Sequence, residues 1–180
     1  STTLKYYLIQ KSEYIFDKSL PYWIIYRNDF FDKILKKMKF DIFDVFRDRQ
    51  ITNSNSSLEK NEIYYIRVLK SRNISDDGKI IDIDGYDSFI DRASLKKMAV
   101  EKFLNDNTVY LTPNMTYKPR LIKKEGAYVV NGSVAILIPK ILLNLSQEQM
   151  NYISSDEFRT FYKIARNYQT RSLNIDKTSC

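Results

Sequence analysis

Apolar runs in this sequence are short, and each is stopped by a turn-forming or polar cluster. That punctuation limits the fold more than any other feature. Tyr22–Tyr26, Phe40–Thr52, Ile63–Leu69, Lys79–Ile83, Val109–Thr112, Arg120–Lys123 and Ala127–Ile138 read as strands. The stops between them are the loop Asn53-Ser54-Asn55-Ser56-Ser57, the turn Asp76-Asp77-Gly78, and Pro113, Pro119 and Gly126. Helical spacing enters separately. Asn28 or Asp29 is placed to cap a helix carrying Phe31, Ile34, Leu35 and Met38. Ser94 is placed to cap a second one within Asp91–Leu104, with Leu95, Met98, Ala99 and Phe103 inward. Two capping boxes, Ser146 with Gln149 and Ser154 with Glu157, predict two short helices in the tail. No internal repeat or linker divides the chain. The expectation is one α+β domain, a mixed, twisted β-sheet flanked by short helices with a helical C-terminal tail.

Composition matters where it excludes chemistry. With 180 residues and 43% apolar side chains the chain can bury a core, so disorder is not expected. There is no histidine and a single cysteine, Cys180, which removes His-based acid–base work, internal disulfides and thiolate zinc clusters. The greasiest stretch, Val134–Leu145, is interrupted by Pro139, Lys140 and Asn144 and is far short of the about 20 residues a membrane span needs. No signal peptide is recognised, and a soluble, cytoplasmic protein with no membrane partner is expected. The 29 Lys+Arg against 22 Asp+Glu leave a net +7, which favours a polyanionic partner. A composition rich in lysine, isoleucine, asparagine and tyrosine accounts for part of that charge.

The basic side chains are patterned. On a helix from Phe158 to Thr170, at about 100° per residue, Phe158, Phe161, Tyr162, Ile164, Ala165 and Tyr168 share one arc; Arg159, Lys163, Arg166 and Thr170 lie beside it. Docked by the aromatic arc, such a helix presents cations to a phosphate backbone; it is equally an ordinary solvated face. The following segment, Asn167–Asn174, crowds together amide, guanidinium and hydroxyl groups, including Gln169 and Arg171. These are the groups that read base edges and also the groups that make caps and turns. Similar sets stand at Arg47-Asp48-Arg49-Gln50, at Lys70-Ser71-Arg72-Asn73, in the proline-stiffened stretch Thr112–Arg120 with Asn114, Thr116, Lys118 and Arg120, and at the bend Asn131-Gly132-Ser133. A stiff loop loses little entropy on binding.

Acidic residues offer less. Asp82, Asp84 and Asp87 surround a turn at Gly85 but lack the spacing of a calcium loop. Asp77-Gly78-Lys79 has the acidic-x-lysine form of many nucleases without an upstream metal-binding acid. Glycine-rich nucleotide loops, a Walker sequence and an Asn-Pro-Pro-aromatic tetrapeptide are all missing. No catalytic residue and no metal ligand is therefore assigned.

From about Phe40 onward the sequence resembles the target recognition domains of type II adenine-N6 DNA methyltransferases of the TaqI-like kind, from restriction-modification systems. More distantly it is similar to type I specificity subunits. The resemblance rests on the order of Phe43–Thr52, Ile66–Ile74, Val129–Pro139 and the tail Glu157–Asn174. At Arg47–Gln50 many relatives carry a glycine that this chain lacks. The resemblance implies that residues 41–180 hold and select double-stranded DNA. A catalytic methyltransferase domain of the same parent chain would bind S-adenosylmethionine and modify a flipped adenine. Residues 1–40 are expected to be a connector or docking segment. Arg159, Lys163, Arg166 and Lys118 are expected on phosphates. Arg72, Asn73, Asn114, Arg120, Asn131, Gln169 and Arg171 are the candidates near bases, and Arg47, Arg49, Gln50, Thr116, Ser133 and Asn167 complete the DNA-facing set. The rivals are a subunit-docking adaptor and a magnesium-dependent nuclease centred on Asp77 and Lys79.

Overall fold

The structure is a computed structural model and describes residues 24–39, 41–60, 64–168 and 173–174. Its strands are β1 (Phe43–Phe46), β2 (Tyr64–Leu69), β3 (Ser88–Asp91), β4 (Tyr110–Pro113), β5 (Met115–Thr116), β6 (Ile122–Lys123), β7 (Val129–Val130), β8 (Val134–Pro139) and β9 (Leu173–Asn174). Its α-helices are α1 (Asp29–Leu35), α2 (Arg92–Leu95), α3 (Gln147–Ile153) and α4 (Asp156–Ala165). The fold is α+β, as the punctuation predicts.

Alternation along β8 sets the layers. Val134 and Ile136 point into one core and Leu137 into another, because neighbouring strand residues face opposite sides. β8 lies inside an antiparallel sheet of order β1-β8-β4-β6, whose central strands are covered on both faces. One face packs on a three-stranded sheet, β3-β2-β7, through Ile66, Val68, Leu69, Val129 and Val130. The other receives Met150 of α3 and Tyr162 of α4 against Phe43, Tyr110 and Leu137. α1 forms the outer layer, where Phe31 stacks on Phe161 with ring centroids 4.7 Å apart. Residues 24–35 therefore share a core with the tail helix through Ile24, Phe31, Ile34, Phe161 and Ile164.

Several local expectations change. Of the two cap candidates, Asn28 caps α1, its side chain accepting from the Phe31 N–H. Tyr22 lies outside the described residues, and Ile25 and Tyr26 form a turn rather than strand. The Phe40–Thr52 strand shrinks to β1, because the buried Asp48 carboxylate bends the chain by accepting from the Gln50 and Ile51 N–H groups at 3.1 and 2.7 Å. The predicted return strand Lys79–Ile83 keeps only an isolated bridge from Ile80 to Ile74; the antiparallel partner of β2 is β3. Asp87 causes this: its carboxylate accepts from the Ile83 N–H and from Asn73, which curls residues 81–87 into a loop.

The Asp91–Leu104 helix divides in two. Asp91, not Ser94, caps the one-turn α2, and a 3-10 turn, Ala99–Phe103, starts afresh with its Ala99 N–H donating to Gln50 Oε1 at 2.7 Å. The Ala127–Ile138 strand is likewise two strands in different sheets. In the tail, the box at Ser146 forms as predicted, whereas Ser154 closes α3 and its neighbour Ser155 caps α4. α4 ends at Ala165, earlier than expected, because Asn167 and Tyr168 take left-handed backbone angles, φ 51° and 54°. Tyr168 thus leaves the helical arc, and Thr170 lies outside the described residues. Among the described residues no helix is long and apolar enough to cross a membrane.

Candidate functional site

The chain passes from one sheet to the other at Asn131-Gly132-Ser133, between β7 and β8, and four of the polar sets meet there. Asn131 Oδ1 accepts from the Ser133 N–H and hydroxyl at 3.1 and 2.6 Å, closing the bend. Ser133 Oγ accepts from the Ser71 N–H at 3.0 Å, and its carbonyl accepts from the Asn114 N–H at 2.9 Å. The Asn114 amide donates to the Gly132 carbonyl at 3.3 Å. Gly132 in turn lies against the Asp48 carbonyl. The stretches 47–50, 70–73, 114–120 and 131–133 are therefore one corner of the molecule.

Two buried side chains fix its geometry. Asn73 is fully buried; its Oδ1 accepts from the Lys70 N–H, and its Nδ2 donates to the Ile81 carbonyl and to Asp87 at 3.1 and 2.6 Å. Arg120 donates from Nε to the Ile74 carbonyl, from one terminal nitrogen to Thr116 Oγ1 and the Lys118 carbonyl, and from the other to the Ser71 carbonyl. It also pairs with Asp76 at 3.2 Å. Burial lowers the Arg120 pKa from its ordinary value, and Asp76 opposes that shift. Thr116 is buried beneath Arg120. Asn73, Thr116 and Arg120 thus hold loops together, as do Asn131 and Ser133 at their half-exposed positions.

The outward groups are different. Arg49, Gln50, Arg72 and Lys118 are exposed; Arg47 and Asn114 are half-buried. Arg72 lies over the Tyr86 ring, 4.8 Å from its centroid, and Lys70 Nζ lies 3.9 Å from the same centroid. Lys70 and Tyr86 were not among the sequence candidates, since nothing in their spacing joins residues on separate loops.

α4 forms a second region. Arg159 pairs with Asp156 at 3.3 Å, and Lys163 and Arg166 are half-exposed beside the buried aromatic face. Asn167 is committed within the fold, its Oδ1 accepting from the Ile25 N–H far up the chain. Gln169 and Arg171 lie outside the described residues. Beyond them, β9 pairs with β5 in the register Met115 to Asn174 and Thr116 to Leu173. The tail therefore returns to the Asn114–Arg120 loop of the corner.

Other charged groups are engaged locally. Arg67 pairs with Asp82 at 2.6 Å and Asp87 at 3.4 Å. Asp77 and Lys79 pair with each other at 2.8 Å on an exposed turn, and hydrogen bonds from Lys79 and Ser75 lower the Asp77 carboxyl to about 2. Among the described residues no three acidic, His or Cys side chains cluster as a metal site. Lys124 is an ionisable group that sequence reading missed entirely. It directly follows β6 and is buried, with Nζ donating to the Leu104 and Gly126 carbonyls at 2.9 and 2.7 Å and lying 4.5 Å from the Tyr128 ring centroid.

No protein-family model and no curated protein matches the chain.

Proposed function

We propose that this chain recognises a specific sequence of double-stranded DNA, as the target recognition domain of an adenine-N6 DNA methyltransferase from a restriction-modification system. A catalytic domain outside this sequence would bind S-adenosylmethionine and carry out the methyl transfer. One observation carries the reading. Four polar loops far apart in sequence meet at a single corner, braced from beneath by Asn73 and Arg120 and bearing the exposed cations Arg49, Arg72 and Lys118. A braced surface of this kind loses little entropy on binding. Its cations supply phosphate contacts, and arginine is also the side-chain type that reads guanine. The half-exposed Lys163 and Arg166 of α4 and the tail that returns to β5 extend the same reading.

The test is fluorescence anisotropy of the chain with a randomised duplex pool, followed by selection and sequencing. Salt-dependent binding with an enriched motif is expected. Binding that is absent across all salt concentrations rejects the proposal, and binding without enrichment rejects the sequence-specific part of it.

A second reading, a subunit-docking adaptor, is favoured by the exposed apolar group around Ile25, Tyr26 and Tyr168, where the two tyrosine rings meet edge to face at 5.2 Å. Under that reading Tyr26→Ala abolishes assembly with a partner protein, while the alanine variants of Arg49 and Lys118 leave duplex affinity unchanged.

A further inference from the structure

Two like charges rest on one aromatic ring at the corner. Lys70 Nζ is 3.9 Å and the Arg72 guanidinium carbon 4.8 Å from the centroid of Tyr86. Among the described residues neither cation forms an ion pair or a side-chain hydrogen bond. The nearest acid is already engaged: Asp87 accepts from Asn73, from the Ile83 N–H and from Arg67. The ring attracts both cations but neutralises neither.

The backbone bearing these cations is anchored at several points. Ser71–Asn73 form a single 3-10 turn. Asn73 Oδ1 holds the Lys70 N–H, Ser133 Oγ holds the Ser71 N–H, and Arg120 holds the Ser71 carbonyl. Tyr86 follows Gly85, whose positive φ of 65° makes the turn, and Asp87 ties the far side. Two cations are thus held side by side on a rigid base, with Asp87 acting on Lys70 from a carboxylate already shared with Asn73, the Ile83 N–H and Arg67. Such an arrangement is costly by itself and becomes favourable when an anion with several oxygens completes it. Partial burial lowers the Lys70 pKa, with Arg72 acting in the same sense and Asp87 opposing it.

We infer that Lys70, Arg72 and Tyr86 form a phosphate clamp, in which the two cations grip the anionic oxygens of a phosphate backbone and Tyr86 fixes their positions. The inference rests on the DNA reading for its natural ligand and refines it, because Arg72 then serves the backbone and not a base. It also adds Lys70, which the sequence placed in the Lys70–Asn73 polar set but not among the DNA-facing residues. Tyr86 is a positioning residue.

The experiment uses the whole chain in two arms. In the first, duplex affinity is measured across a salt series for the wild type, the double variant Lys70→Gln/Arg72→Gln, and Tyr86→Leu. The slope of log affinity against log salt should become shallower by about 0.9 for each phosphate that is no longer neutralised, hence by up to about 1.8 in the double variant. Tyr86→Leu should weaken binding several-fold with little change in slope. In the second arm inorganic phosphate is titrated against the isotope-labelled chain, and shifts confined to Lys70, Arg72 and Tyr86 are expected. Thermal unfolding of each variant shows whether it is folded; a side chain without hydrogen bonds should be replaceable without loss.

The outcomes separate. Salt-dependent duplex binding with an unchanged slope in the double variant overturns the clamp and leaves the DNA reading standing. Phosphate shifts at the three residues without duplex binding support the clamp and overturn the DNA reading. The absence of both overturns both.

Discussion

A Cβ added to Gly132 would lie 2.6 Å from the backbone carbonyl oxygen of Asp48. No φ constraint is involved; the glycine is required by space, because the sheet-to-sheet bend rests directly on the loop that follows β1. Backbone cannot swing aside as a side-chain tip can. Gly132→Ala should therefore destabilise the fold by about 1 to 3 kcal/mol, the usual range for overpacking, and be read as a lower urea midpoint. Duplex affinity should fall with it, since the bend organises Ser71 and Asn114.

The corner should divide into braces and contacts. Asn73→Ala removes the hydrogen bonds to the Lys70 N–H, the Ile81 carbonyl and Asp87, of which the last two keep Arg67 as a donor, and should cost about 1 to 3 kcal/mol in all. Arg120→Lys should also lower the melting temperature, because a single ammonium cannot span the carbonyls of Ser71, Ile74 and Lys118 that the guanidinium fork reaches. Arg49→Gln and Lys118→Gln should leave melting unchanged and weaken duplex binding. Equal melting losses in all four variants would remove the distinction.

Lys124 gives a stability trend at alkaline pH. Burial holds its folded pKa below the ordinary 10.5, and Asp106 only partly offsets this. Between the lowered value and 10.5 the unfolded chain binds more protons, so this residue's contribution to stability rises with pH. The raised pKa of buried Tyr128 acts in the opposite direction above 10.0, and it is common to both proteins when the wild type is compared with Lys124→Met. Urea midpoints over an alkaline series should show the difference between the two moving in favour of the wild type as pH increases. A flat difference contradicts the burial.

At acid pH the Asp77–Lys79 pair provides the converse. The Asp77 pKa is lowered from 3.8 to about 2, so the stability it contributes is present above 3.8 and is lost as pH falls through about 2. Carboxyl NMR should give a midpoint near the lower value, and Lys79→Met should move it up toward 3.8. A wild-type midpoint already near 3.8 would discard the pair. Neither Asp77→Asn nor Lys79→Met should affect duplex binding, whereas loss of magnesium-dependent cleavage in either would revive the nuclease reading.

The class of fold and most element positions were legible, because they depend on local signals. Asn28 capped its helix, Ser146 formed its box, and Gly78 turned where predicted, with φ 77°. Misreadings arose where a side chain captured backbone groups. Asp87 did so within its own loop, cancelling a strand at residues 79–83, and Gln50 restarted a helix at Ala99 from far up the chain. No periodicity encodes such contacts. The same holds for the corner. That Asn73, Arg120 and Asn131 were special was readable from residue type; that the first two lie inside, holding loops for Arg72 and Lys118 outside, depends on tertiary burial. Lys124 was invisible because a lysine in the charged stretch Lys123-Lys124-Glu125 ordinarily points to solvent.

The pairing of β5 with β9 joins the Asn114–Arg120 loop to residues made much later in synthesis. While the ribosome is still extending the chain between them, Met115 and Thr116 have no β9 strand beside them and that rim of the corner stays unfinished. The surface proposed to engage DNA therefore gains its last strand only when Leu173 and Asn174 have emerged.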